Sequence, residues 1–487
     1  MRACLLQPAS KAGPQTRAPA PQTTVLDLER DLWLQTLYRA MAEGEELIAA
    51  TAREEILSGT DDIGIISYRQ KVLADCLKNP SLARQLYALI GEALREERQA
   101  DSRFSRLSPS ALLDTAIGTL APLLDGIDRM RELLRAQAGS FVSSGFAALA
   151  QGMDEELGEE YTEGARSLLR ELRFPEGLLI GAELGIGCKG RGYRAIEPGV
   201  ESASLRYRLP EGEDARRAVE ELRDRGLARA AEALARSRDR VRGFLAETRR
   251  ELAFYLGCVN LAKRLEALGM GLCWPEPVAA GEGACRAAGL YDPCLALELG
   301  AKVVPSALEA DGRGLVLVTG ANQGGKSTFL RSVGLAQVLM QCGMFVPARS
   351  FRSSVCAGVF THFRKAEDRS MRSGKLDEEL GRIGDIVDRA RPSSMLLLNE
   401  SFASTNEREG SEIGRRIVGA LLEAGLRIFF VTHLYDFAAS YLGSPGSALF
   451  LLARREEGGR RSYEIAPGEP LDTSFGRDVY DEVFGPG

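Results

Sequence analysis

The chain holds 487 residues, 45% of them hydrophobic and 27% charged. At about 150 residues per domain this gives a prior of roughly three domains, and it excludes small stapled scaffolds as well as disordered or collagenous chains. The formal net charge of −6 names no polyanionic partner, and 53 arginines against nine lysines read as a compositional skew rather than an arginine code.

Nine cysteines are scattered without a CxxC pair, so free thiols in a reducing compartment are expected. The two histidines, His362 and His433, exclude a three-histidine metal centre. No basic region followed by an apolar stretch opens the chain, and the uncharged segment from Ser332 to Ala348 reads as a buried helix rather than a membrane span. The expectation is a cytoplasmic protein.

Residues 1–23, rich in Pro, Ala and Gln, predict a flexible tail. Residues 24–285 predict a mainly helical core. Apolar residues recur at three and four positions, as in Trp33, Leu37 and Met41 or Leu82, Leu86 and Leu89. Glycines punctuate residues 174–208, predicting a small strand-and-turn excursion. From Asp214 to Leu268 there is no proline, and Leu227, Leu234, Val241, Leu245 and Leu252 fall seven apart except for one four-residue step. That spacing predicts a helix of roughly 50 residues, whose interleaved arginines and acids make a solvated face. Pro275 to Gly289 reads as loose connecting chain.

From residue 286 to 487 the rhythm changes to short buried strands between amphipathic helices. Leu315 to Val318, Met395 to Leu398 and Ile428 to Val431 are continuous apolar runs, which predict a parallel sheet covered on both faces. Residues 412–424 predict a helix with Ile413, Ile417, Leu421 and Ala424 on one face and Gly425 as its C-terminal cap.

The chemistry concentrates at the ends of those strands. Gly320, Ala321, Asn322, Gln323, Gly324, Gly325, Lys326 and Ser327 fit GxxxxGK[ST] between a strand and a helix that opens with Thr328. Such a loop turns backbone amides onto phosphates, Lys326 reaches the β and γ oxygens, and the Ser327 hydroxyl suits Mg²⁺. Asn399 and Glu400 close the second apolar run. An aspartate at the first position would orient the metal; Asn399 offers only a neutral carbonyl oxygen, while Glu400 is the candidate base. His433 ends the third run, where it is either structural or a sensor of the γ-phosphate or the attacking water. Lys189, Arg191 and Arg194 cluster in the Gly-rich excursion, either as a contact to a polynucleotide backbone or as an exposed basic turn.

The segment from Thr319 to Thr328 resembles the ATP-binding loop of the MutS family of DNA mismatch-repair ATPases. Cys342 to Ala348, Phe360 to Asp368, Ser373 to Lys375, Leu396 to Glu400, Thr432–His433 and Ile465 to Gly476 follow in that family's order and approximate spacing. Ile66 to Leu73 resembles its helical core more loosely. The resemblance implies an α/β ABC-type P-loop ATPase domain with ATP and Mg²⁺ as ligands, preceded by a helical core and lever. It further implies an ATP-dependent homodimer, with Ser373, Gly374 and Lys375 as the signature offered to the partner's nucleotide, and control of DNA binding in mismatch repair or recombination. Three departures shape the expectation. A helical core starting near Thr24 leaves no room for a mismatch-reading domain, so structure-directed DNA binding is expected, and no helix-turn-helix tail follows Arg477. Lys375, Leu376 and Asp377 stand where the family usually has hydroxyl residues. An ATP-regulated factor acting on ribosomes, RNA or a protein complex, or a scaffold that hydrolyses ATP poorly because of Asn399, are the alternatives.

Overall fold

The computed structural model describes residues 3–11, 22–103, 109–137, 139–173, 180–184, 190–195, 213–365, 374–443, 448–455 and 461–471. Two compact units emerge, one from Met1–Leu5 and Asn79–Leu252, the other from Leu6–Lys78 and Ala253–Gly487. They do not follow a split into residues 24–285 and 286–487, because the first helices of the chain pack with the half that carries the GxxxxGK[ST] loop.

The elements run α1 (Gln22–Asp31), α2 (Leu34–Ala42), α3 (Glu46–Ser58), α4 (Ile63–Lys78), α5 (Pro80–Arg103), α6 (Pro109–Ala136), α7 (Ser144–Glu156), α8 (Glu159–Glu171), β1 (Ile180–Leu184), β2 (Gly190–Ala195) and α9 (Glu213–Ala267). There follow β3 (Glu276–Val278), β4 (Cys285–Leu290), α10 (Pro293–Leu299), β5 (Ser306–Glu309), β6 (Leu315–Gly320), α11 (Lys326–Gln341), β7 (Ser350–Ser354) and β8 (Val359–Phe363). The last are α12 (Lys375–Val387), β9 (Met395–Asn399), α13 (Glu407–Glu423), β10 (Arg427–Val431), α14 (Tyr435–Ala439), β11 (Ala448–Arg455) and β12 (Arg461–Pro467).

In the first unit α6, α8 and α9 share a core of Leu113, Ile117, Leu120, Leu124, Leu169, Leu227 and Leu234. By length and composition α6 is apolar enough to cross a membrane; its apolar positions instead form this core, and Arg131 near its end donates to the Leu157 carbonyl at 2.8 Å. The seven-residue spacing of α9 has its expected consequence, since Leu227, Leu234, Val241, Leu245 and Leu252 are all buried. β1 and β2 pair antiparallel, with Arg191 opposite Glu183 and Arg194 opposite Gly181. The remainder of 174–208, Lys189 included, lies outside the described residues.

The opening of the chain departs from the tail expected over 1–23. Ala3 to Leu6 are buried, a consequence of four consecutive apolar residues. The Leu5 amide donates to Glu251 Oε2 at 2.7 Å, and the Leu6 carbonyl accepts from Arg69 Nε at 2.8 Å.

The second unit is built on a six-stranded sheet in the order β12-β11-β6-β10-β9-β8. All neighbours are parallel except β11 and β12. Leu315, Leu317, Leu396, Leu398, Ile428 and Phe430 face a layer made by α12, α13 and α14, while α11 covers the other face. Continuous apolar strands and two helical layers are one fact seen twice, since each strand buries both of its faces. α13 begins at Glu407, earlier than its periodicity indicates, because the Asn406 side chain accepts from the Glu409 amide and caps it. Its buried stripe runs through Gly414, Val418 and Leu421, with Ile413 and Ile417 partly buried beside it. Gly425 follows with φ 80°.

A second sheet, β3-β7-β4-β5, draws β3 and β4 from the stretch read as loose chain. Small residues conceal it: Ala287 and Ala288 of β4 pair with Phe351 and Ser350 of β7. The N-terminal helices complete this unit. α1 lies against β8, α2 against α10 and α3 against α11. Thr60 N donates to Gln341 O at 3.0 Å, and Arg69 of α4 pairs with Glu55 of α3.

Candidate nucleotide site

The loop from Gly320 to Gly325 leaves the carboxyl end of β6 and enters α11. Gly320 has φ 101°, and a Cβ there would stand 3.0 Å from the Ala453 amide nitrogen, so β11 fits against the loop only because the residue is glycine. Gln323 and Gly325 also take positive φ, 57° and 89°. Gly325 is the N-cap of α11 and supplies no side-chain cap, which leaves the first-turn amides for an anion.

Lys326 folds back over the loop, its Nζ donating to the Gly320 and Ala321 carbonyls at 2.8 and 2.9 Å. Burial lowers its pKa to about 8, against the opposing field of Glu400. One residue on, Ser327 Oγ donates to Asn399 Oδ1 at 2.9 Å. The two strand-end motifs, 72 residues apart in sequence, therefore meet directly. A hard cation fits here: the hydroxyl and amide oxygens are side by side, and phosphates and water would complete a shell of oxygens.

Glu400 follows β9 in a left-handed conformation, φ 55°, which turns its side chain off the strand. Its amide donates to Val431 O at 2.8 Å, tying it to the end of β10. His433 Nε2 lies 3.5 Å from Oε1 and Arg364 Nη1 lies 3.7 Å from Oε2. The hydrogen bond from His433 outweighs burial and, with the charges of His433, Arg364 and Lys326, holds the Glu400 carboxyl below its ordinary pKa. His433 thus stands beside the Glu400 carboxylate.

The P-loop, Asn399, Glu400 and His433 converge at the carboxyl ends of β6, β9 and β10. Gly374 and Lys375 start α12 beside β8, three strands from β6; Ser373 lies outside the described residues. Arg191 and Arg194 belong to the other compact unit. His362 is wholly buried, its Nδ1 2.7 Å from Ser401 Oγ, and burial with the nearby Arg382 charge lowers its pKa to about 3.

Motif reading gives three residues of the site no role, although Arg364 lies within the Phe360 to Asp368 segment. Arg364 reaches Glu400 from the end of β8; its signal was its place directly after the strand residue Phe363. Arg461 contributes a field that lowers the Lys326 pKa. The Tyr463 carbonyl lies 3.2 Å from where a Gly325 Cβ would stand, and its side chain is exposed. Both come from β12, an antiparallel strand that no apolar run announces.

Sheet order, loop and strand-end residues together define an α/β domain of P-loop type. A family model described as MutS domain V matches residues 316–477, and one described as MutS2 N-terminal domain matches residues 61–268. The chain is 31% identical over 276 residues to the DNA mismatch repair protein MutS of Thermus aquaticus, covering 56% of this chain and 33% of that protein. It is 28% identical over 255 residues to the protein of the same name from Oleidesulfovibrio alaskensis, covering 51% and 27%. To the DNA mismatch repair protein MutS 2 of Haloarcula marismortui it is 33% identical over 168 residues, covering 34% and 18%. The matches thus span a third or less of these relatives' length. This chain belongs to the MutS family.

Proposed function

We propose that the chain binds ATP with Mg²⁺ and hydrolyses it to control DNA binding, as an ATP-dependent homodimer directed by DNA structure rather than by a mismatch, in repair or recombination. The observation that carries this reading is the convergence of Lys326, the Ser327–Asn399 hydrogen bond and Glu400 on one sheet edge. When the triphosphate enters, Lys326 exchanges two loop carbonyls for the β and γ oxygens, and the free amides at the start of α11 take up phosphate charge. Ser327 and Asn399 are the residues that would hold Mg²⁺, which would neutralise phosphate charge there. Glu400 accepts a proton from the attacking water, and His433 orients its carboxylate.

Partner and DNA contacts rest on family resemblance. Ser373, Gly374 and Lys375 would meet the nucleotide of a second copy, and Lys189, Arg191 and Arg194 would touch the DNA backbone. Asn399 supports a slow engine, because a neutral amide holds the ion less firmly than a carboxylate.

Lys326→Ala should abolish ATP binding in calorimetric titration, and undiminished affinity would remove the nucleotide reading. Binding to duplex and branched DNA, titrated against salt with and without ATP, tests the remainder. A steep salt dependence that changes with nucleotide is expected; no affinity above background at low salt would sink the DNA half alone.

A further inference from the structure

The charges around Glu400 are unbalanced. With asparagine at position 399, the sheet edge offers Glu400 as the carboxylate that faces both Lys326 and Arg364, and Arg461 adds a further positive field at Lys326. Arg364 enters this cluster by construction. Its amide donates to the Asn399 carbonyl at 3.0 Å, which fixes its backbone at the end of β9. Its neighbour Lys365 turns away to pair with Asp27 of α1 at 3.2 Å, whereas Arg364 points to Glu400 Oε2. The Arg364 side chain remains 46% exposed and that of Glu400 33%. Glu379 of α12 senses its charge too, but Glu400 is the carboxylate it pairs with.

A carboxylate 3.7 Å from a half-exposed guanidinium is a weak, exchangeable partner. A terminal phosphate arriving between Lys326 and Glu400 carries more charge and three acceptor oxygens, and a guanidinium fork matches it. We propose that Arg364 is a ligand for the γ-phosphate, kept in the nucleotide-free chain by Glu400, and that it makes the site selective for nucleoside triphosphates over diphosphates. Its transfer to phosphate frees Glu400 Oε2, so recognition of the third phosphate and release of the base are one event. The inference rests on the ATP reading of the site.

The test is calorimetric titration of the whole chain with ADP and with the non-hydrolysable triphosphate AMPPNP, both with Mg²⁺. Arg364→Ala should weaken AMPPNP by about tenfold or more, the scale of a charge-assisted hydrogen bond, with ADP affinity held within about twofold. Arg364→Lys, which keeps charge without the fork, should fall between. Glu400→Gln should raise the preference for AMPPNP, and the double variant should return it to the Arg364→Ala level. Equal loss of both nucleotides in Arg364→Ala, an unchanged ratio, or no rise in Glu400→Gln overturns the inference while leaving nucleotide binding intact. Failure of the native chain to bind either nucleotide overturns both readings.

Discussion

Asn399 shows how one atom's identity reaches the rate. Its Oδ1 accepts from Ser327 as a carboxylate oxygen would, so the geometry of the proposed metal site is kept while a carboxylate's charge is not. Asn399→Asp should therefore tighten Mg²⁺ binding and speed hydrolysis without disturbing the loop; no change in either, by metal titration and steady-state turnover, would count against the argument. Glu400→Gln should hold ATP unhydrolysed, and unaltered turnover would show that another group activates the water. His362 makes a prediction of a different kind. Its folded pKa, about 3, lies below the unfolded value near 6.5, so its contribution to stability is complete above pH 6.5 and is lost as pH falls from there toward 3. Denaturant unfolding should lose about 2 kcal/mol between pH 7 and pH 5 through this group, and His362→Asn should flatten that slope. The P-loop, Asn399 and Glu400 were legible because each sits at a fixed offset from an apolar run. Arg364 lay within the Phe360 to Asp368 segment, but its pairing with Glu400 was not legible, since which strands become neighbours is decided by topology rather than by spacing.

At the level of elements, the junction between α4 and α11 is the tightest fit described here. Gly343 closes α11 with φ 79°, and a Cβ there would stand 2.3 Å from Arg69 Cβ and 3.1 Å from the Ile66 carbonyl. Gly343→Ala combines left-handed strain with overpacking and should cost about 3 kcal/mol; equilibrium unfolding that matches the native chain would show that α4 yields easily. Strands β6, β9 and β10 and the long helix α9 could be read directly, because burial on both faces and a seven-residue seam each leave a period in the sequence. The sheet β3-β7-β4-β5 left none. Its strands are short and rich in Ala and Ser, so its register rests on backbone hydrogen bonds that composition does not record.

For the whole molecule, the compact unit that holds the nucleotide loop is assembled from two stretches of chain. Leu32 of the first stretch reaches Gly334 on α11, and Arg69 reaches the Cys342 carbonyl. A fragment cut at residue 286 loses α1 to α4, β3 and the opening of β4. It should be insoluble or bind nucleotide more poorly than the whole chain; a soluble fragment with the whole chain's ATP affinity would refute the structural need for those helices. Net charge says little at this scale, as −6 spread over 487 residues sets no partner.

The same discontinuity sets a clock on synthesis. Residues 6–78 leave the ribosome first but must wait for residue 253 and beyond, with residues 79–252 made in between. At about 5–20 residues per second that interval lasts roughly 10–35 s. Throughout it the apolar faces of Leu32, Leu37, Met41, Ile48 and Ile56, all buried in the finished protein, have no lasting partner. Newborn chains should accordingly depend on chaperones that bind the first helices, and a pulse-labelled chain arrested before residue 253 should remain open to protease within residues 22–78.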